Sequence, residues 1–208
     1  MKVFVPRDAS ALSLGAEAVA RAIVAEAVVR GLQVDLVRNG SRGLSWLEPL
    51  IEVETPAGRI AYGPVGVDDV RSLFDADLPN GGAHALRHGR VEDIAYFARQ
   101  QRLCFARVGV TDPLDVDDYL AHGGYAGLRN ALGMAPADIV ATVTESGLRG
   151  RGGAAFPTGI KWKTVLDATT FRSSDSPFPI PDSPPFIVCN ADEGDSGTFS
   201  DRMLMEGD

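Results

Sequence analysis

Ser146-Gly-Leu-Arg-Gly-Arg-Gly-Gly-Ala-Ala-Phe-Pro-Thr-Gly-Ile-Lys-Trp162 holds five glycines within thirteen residues, at 147, 150, 152, 153 and 159. Glycine lets the backbone take positive φ and lets a flat or charged ligand approach the main chain. Consecutive exposed N–H groups in such a loop suit phosphate oxygens. Arg149, Arg151, Lys161 and Lys163 add positive charge. The spacing Gly150-x-Gly152-x-x-Ala155 meets the loose dinucleotide pattern, but that pattern needs a strand before it and a helix opening within it. The preceding Pro136–Thr144 reads as a helix, with Asp138 and Glu145 marking its ends, so the simple version is set aside. A Walker A loop needs Gly-Lys-Ser/Thr, and Gly159-Ile-Lys161 breaks it.

The second segment is Asn190-Ala-Asp-Glu-Gly-Asp-Ser-Gly-Thr-Phe-Ser-Asp-Arg202, directly after Phe186–Cys189, which reads as a short buried strand. Polar side chains at the C-terminal end of a strand line the ligand crevice of an α/β sheet. Asn190 both donates and accepts, whereas ionised Asp192, Glu193 and Asp195 only accept, which suits sugar hydroxyls. An EF-hand loop would place glycine sixth and glutamate twelfth. Counted from Asn190, those places hold Asp195 and Asp201, so calcium is not indicated.

The rest of the chain bounds the answer. It has 208 residues, 45% hydrophobic and 23% charged, with a formal net charge of −8. With no basic run, nucleic acid is not an expected partner. No apolar run approaches the ~20 residues of a membrane span, and the opening MKVFVPRDAS does not read as a secretory signal. Two cysteines, Cys104 and Cys189, cannot staple a chain of this size and fit a reducing cytoplasm.

Residues 1–78 read as a small α/β domain. Met1–Val5 and Val34–Val37 read as strands around a helix over Leu14–Arg30, whose stripe is Ala16, Val19, Ala20, Ile23 and Ala27. Ile51–Glu54 and Arg59–Tyr62 flank the turn signal Pro56-Ala-Gly58, and Asp68–Phe74 closes the unit as a helix. Leu78–Arg90 is glycine-rich and polar, so residues 79–90 read as a linker. His84 and His88 lie there four apart, but three glycines and the lack of a third ligand speak against a metal. Residues 91–208 read as a second domain. Within it, Glu92–Gln100 is an expected helix and Leu103–Val108 a strand or extended segment. Asp115–Leu120 leads to His122-Gly-Gly-Tyr125, and helices are expected around Ala126–Leu132, over Pro136–Thr144 and from Lys161. Thr169–Pro185 reads as an exposed loop.

Together the two motifs resemble the family of FMN- and NADH-binding subunits found in respiratory complex I and its soluble relatives, which include hydrogenase diaphorase and formate dehydrogenase beta subunits. The resemblance is strong from Leu103 to Asp208 and weaker over the first 80 residues. Those first residues are similar to a thioredoxin-like ferredoxin module. Here the cluster loop Asn39-Gly-Ser-Arg-Gly-Leu-Ser-Trp46 carries no cysteine. That absence, with the variant Gly194-Asp-Ser-Gly197, favours the NAD-dependent formate dehydrogenase branch.

The resemblance implies a thioredoxin-like domain followed by an incomplete Rossmann-like FMN/NADH-binding domain. It implies that Gly150, Arg151, Gly152 and Gly153 lie against FMN, that Lys161 contacts the flavin, and that Asn190, Asp192 and Glu193 hydrogen-bond it. Phe156 matches a position that stacks on the adenine of NADH, and Asp195 one near the dinucleotide ribose. The implied activity is that of a diaphorase, exchanging hydride between NAD(H) and FMN and electrons with iron–sulfur clusters. A 4Fe–4S cluster is implied only for a C-terminal part absent from these residues. The implied partners are a formate-oxidising catalytic subunit and a small 2Fe–2S thioredoxin-like subunit. A diaphorase of a hydrogenase or of complex I, and a flavin-free docking fragment, are the alternatives.

Overall fold

The computed structural model describes residues 1–171 and 186–208, which divide into two compact units: Met1–His122 with Ala191–Asp208, and Gly123–Asn190. The first unit is mixed α/β.

Strand β1 (Lys2–Phe4) leads into α1 (Ala9–Ser13), where the Asp8 carboxylate accepts from the amides of Ser10 and Ala11. That cap satisfies two of the donors a helix start leaves over. Gly15, at φ 96°, then starts α2 (Ala16–Val29). The single helix expected over Leu14–Arg30 is therefore shorter at its start. Its stripe is as expected: Ala16, Val19, Ala20, Ile23 and Ala27 are all buried. Burying a side chain the size of Ile23 contributes about 1.5–3 kcal/mol.

Strand β2 (Asp35–Val37) pairs parallel to β1, and β1 pairs antiparallel to β3 (Ile51–Thr55). Strand β4 (Gly58–Tyr62) returns antiparallel, with Ile51 opposite Tyr62 and Thr55 opposite Gly58. The Thr55 hydroxyl donates to the Gly58 carbonyl and accepts from the Ala57 amide, closing the hairpin. Helix α3 (Val70–Asp75) follows.

The expected linker at 79–90 is corrected here. Leu78 is fully buried, and Arg87–Arg90 forms β5, antiparallel to β4, completing the order β2-β1-β3-β4-β5. The glycines that suggested a linker serve close packing: a Cβ on Gly82 would strike the Ala76 carbonyl. His84 instead meets Ser72 Oγ at 3.1 Å, and His88 the Gly63 carbonyl at 2.8 Å.

Alternation along the strands builds two cores. On one face Val3, Val53, Ile60 and Tyr62 pack with Ile23, Leu73 and Phe74. On the other, Ala61 packs with Leu44, Leu47, Leu50, Val91 and Phe97. The helix expected over Glu92–Gln100 is only a single turn at Val91–Asp93, followed by turns that seat Phe97 in this second core. Leu103–Val108 likewise forms turns, with Val108 buried, because the segment has no strand beside it to pair with. Helix α4 (Val116–Ala121) is capped by Asp115, whose side chain accepts from the amides of Asp117 and Asp118.

The second unit holds α5 (Ala126–Ala131), α6 (Pro136–Glu145) and α7 (Thr158–Phe171). Helix α7 covers Thr169–Phe171, where a loop was expected; the remainder of that loop lies outside the described residues. Phe186–Cys189 is corrected too. Phe186, Ile187 and Val188 are 86%, 99% and 85% exposed, with no regular structure. A strand needs a ladder partner, and none pairs with this segment among the described residues. The Rossmann-like sheet expected of this region is therefore not seen there.

Helix α8 (Ser200–Gly207) belongs to the first unit. Gly207 sits against Gly40, where a Cβ on Gly40 would come within 2.5 Å of the Gly207 Cα. Glu206 accepts the Ala9 amide at 2.7 Å, and Arg107 forks onto Asp208 at 2.5 and 2.8 Å. No helix among the described residues is long and apolar enough to cross a membrane.

Candidate functional site

The glycine-rich loop is closed at its base and open at its tip. The Gly150 amide donates to the Phe156 carbonyl at 2.8 Å, and the Thr158 amide to the Leu148 carbonyl at 2.9 Å. Arg149 bridges to Pro157, and its guanidinium donates to the Ala155 carbonyl at 3.2 Å. These contacts pin residues 148–158 as a tight hairpin whose tip is Arg151–Ala155. Gly153 has φ 100°, in the left-handed region, so an L side chain there is strained. A Cβ on Gly152 or Gly153 would meet nothing within 4 Å. The tip is open space, as required if a flat ligand is to lie against the main chain.

Lys161 projects from the first turn of α7 toward this base. Its Nζ would lie 3.4 Å from a Cβ on Gly150 and sits 5.9 Å from the Phe156 ring centroid. Phe156 is 46% exposed. Arg151 donates to the Arg149 carbonyl at 3.0 Å and is otherwise exposed. Lys163, expected to add positive charge beside the loop, is instead paired with Asp167 at 2.8 Å.

Two of the five glycines serve the fold. Gly147, at φ 67°, ends α6, its amide donating to Thr144. Gly159 lies so close to Thr144 that a Cβ would collide with it. Glycine count alone could not separate these from the open ones at the tip; the helix end after Glu145 was the available signal.

Asn190 is the last residue of the second unit, and Asp192, Glu193 and Asp195 belong to the first. Gly150, Phe156 and Lys161 are brought together in one unit; the acidic residues are grouped in the other. Glu193 Oε1 accepts from Ser200 Oγ at 3.1 Å and the Asp201 amide at 2.7 Å, and Oε2 from the Arg202 amide at 3.1 Å. These donors, the Asp201 amide foremost, hold its carboxyl below the usual carboxylate range. It serves as the N-terminal cap of α8, a role that sequence reasoning missed. The signal was an acid preceding a Ser-Asp-Arg helix start. A carboxylate offers about four lone-pair positions, so its capacity for a ligand hydroxyl is reduced, not abolished.

Asp195 closes its turn through its backbone, the carbonyl accepting from Thr198 at 3.1 Å. Its exposed carboxylate makes no hydrogen bond among the described residues. Asp192, Glu193, Phe199 and Arg202 line a cavity of about 520 Å³ within the first unit, a size suited to a small ligand. In the second unit, a glycine tip with room for a flat ring, an exposed aromatic and a lysine fit a flavin; in the first, exposed carboxylates fit nucleotide hydroxyls. No group of His, Cys, Asp or Glu among the described residues could hold a metal ion.

Residues 143–208 match the family model of the Nuo51 FMN-binding domain, which supports FMN and NAD(H) as the cofactors of a family of oxidoreductase flavoproteins. The individual relatives agree. The chain is 46% identical over 110 residues to the NADP-reducing hydrogenase subunit HndC of Solidesulfovibrio fructosivorans, covering 53% of this chain and 20% of that protein. It is 48% identical over 102 residues to the F 2 subunit of the NADH-quinone oxidoreductase of Rhizobium meliloti, covering 49% and 21%. It is 45% identical over 93 residues to the F subunit of the NADH-quinone oxidoreductase of Aquifex aeolicus, covering 45% and 19%. The matches span about a fifth of the length of these curated relatives.

Proposed function

We propose that this chain supplies the flavin-side portion of an NADH:acceptor oxidoreductase, a diaphorase of the NAD-dependent formate dehydrogenase type. The observation that carries the proposal is the pinned loop with the open tip at Gly152 and Gly153, in the segment that matches the FMN-binding family. When bound, FMN supplies acceptance of hydride from NADH and release of single electrons.

The chain's own residues bind and orient. Amides around Gly150–Gly153 and the Arg151 guanidinium receive the anionic and carbonyl edges of the cofactor. Lys161 places a positive charge beside the loop, and Phe156 offers a face to the adenine. Asn190, Asp192 and the remaining capacity of Glu193 accept or donate to hydroxyls, and Asp195 reads the ribose. None of them acts as a general acid or base.

Within the first unit, residues 1–78, extended by β5, are proposed to be a thioredoxin-like module that binds no cluster and docks partners. Its support is a parallel β1–β2 pair around a helix, followed by an antiparallel hairpin and a helix. Residues 91–208 are proposed to open the FMN/NADH-binding domain, with a 4Fe–4S cluster carried elsewhere in the full-length subunit. The formate branch is supported by the absence of cysteine before Cys104 and by Gly194-Asp-Ser-Gly197. The proposed setting is a cytoplasmic complex with a formate-oxidising subunit and a small 2Fe–2S subunit. The likeness to HndC favours a hydrogenase diaphorase as the second reading.

Two measurements test this. A visible spectrum of the purified protein with bands near ~370 and ~450 nm supports flavin, and their absence after FMN is supplied supports a docking fragment instead. Mass identification of co-purifying subunits separates formate-oxidising from hydrogen-oxidising partners.

A further inference from the structure

A second candidate site lies in the first unit. A groove of about 570 Å³ runs between the loop at Arg42 and the segment Tyr96–Phe105, lined by two arginines, Arg42 and Arg102, with Tyr96, Phe105 and Met203. Tyr96 is held from behind by two other rings: it meets Trp46 edge-on at 5.4 Å and Phe97 edge-on at 5.8 Å.

The two arginines differ. Arg42 commits Nε and one terminal nitrogen to Glu52, at 2.5 and 2.9 Å. Glu52 is also approached by Arg59 at 3.5 Å, so this acid is already shared. Arg102 lies over Phe97 at 5.5 Å and Phe105 at 5.9 Å. Among the described residues no carboxylate lies within ion-pair distance of it, and it donates no hydrogen bond to the protein. Burial, then the neighbouring Arg42, holds its pKa below the ordinary arginine value. A half-buried guanidinium beside a second one is costly unless an anion compensates it, and its planar fork matches an oxyanion bidentately.

We infer that this groove is a binding site for a phosphate-class oxyanion, held by Arg102 with Arg42 flanking it, the aromatic wall of Tyr96 and Phe105 accepting a flat body on the phosphate. The shared chemistry is the phosphoryl oxygens; the source is either free phosphate or a phosphate ester. The inference does not rest on the diaphorase reading.

The test uses the 208-residue chain at constant ionic strength, with inorganic phosphate and phenyl phosphate as probes and calorimetry as readout. Both are expected to bind. Phenyl phosphate binding at least about fivefold tighter points to an ester, and equal binding points to free phosphate; either outcome supports the site. Arg102→Gln is expected to weaken both at least tenfold, with Arg102→Lys intermediate. Because the glycine loop can also attract phosphate, binding that persists undiminished in folded Arg102→Gln overturns the inference, as does no binding to the parent chain. Where Arg102→Gln does not fold, location is read without it. Cys104 is exposed and lines the groove. In a Cys189→Ser background, either probe should slow its alkylation by iodoacetamide, and an unchanged rate at saturating probe contradicts the site.

Discussion

Glycines are used in opposite ways in the two units, and carboxylates in opposite ways within the first. In the first, a Cβ on Gly63 or Gly82 would strike the backbone of Leu47 or Ala76, and Gly40 is held against Gly207. In the second, Gly152 and Gly153 border open space. The carboxylates of the first unit's interior are similarly committed. Asp8 Oδ2 accepts the Ser41 amide at 2.7 Å, Ser41 Oγ donates to Glu48 at 2.6 Å, and Glu48 accepts the Leu50 amide at 2.9 Å. The exposed Asp195 side chain makes no such hydrogen bond among the described residues. The difference separates residues kept by packing from residues free to meet a ligand, and it predicts which substitutions damage the fold and which damage only binding.

The largest expected effect is at Glu48. Burial pushes its carboxyl from 4.5 up to about 7, against the pull of Ser41 and Leu50. The folded state thus prefers the protonated form. Glu48's contribution is fully present below pH 4.5, its unfolded value, and is lost as pH rises through about 7. A shift of this size corresponds to about 3 kcal/mol. Glu48→Gln mimics the neutral form, so denaturant melts should show the variant gaining on the parent by that amount between about pH 4 and 8. A constant difference across that range counts against a buried, proton-holding Glu48.

Next comes Gly40→Ala. The added Cβ must displace α8, and overpacking of this kind costs about 1–3 kcal/mol. Urea unfolding of the first unit should report it, and a loss below about 0.5 kcal/mol would mean that α8 is not seated on Gly40.

Gly152→Ala sharpens the contrast. Its Cβ meets no protein atom, so stability should change by less than about 0.5 kcal/mol. The FMN dissociation constant of the full-length subunit should rise about tenfold, near 1.4 kcal/mol. Unchanged FMN affinity would remove the tip from the site.

Asp195→Asn is the smallest. A carboxylate near the ribose repels the extra phosphate of NADPH, which at ~4 Å and an effective dielectric near 20 amounts to at most about 4 kcal/mol, less at an exposed position. The ratio of kcat/KM for NADH over NADPH should fall severalfold in the full-length subunit; an unchanged ratio assigns Asp195 to its turn alone.

Much of this was legible in sequence where periodicity or turn chemistry is local. The stripe Ala16–Ala27, the hairpin at Pro56–Gly58 and the helix at Pro136 all depend on neighbours within a few residues. Non-local matters were not legible. Residues 87–90 look polar and glycine-rich, yet β4 offers them an edge to pair with. Phe186–Val188 looks like a buried strand, but burial needs a partner that pattern alone does not specify. At the site, the glycine loop was visible as a motif, whereas the capping role of Glu193 depended on where α8 begins.

The central claim is that the chain's loop serves an NADH-oxidising flavin site. The most direct measurement is NADH-dependent reduction of an artificial acceptor by the full-length protein, before and after complete removal of flavin. The account predicts that activity is lost on removal and restored by added FMN. Activity that survives removal would contradict it.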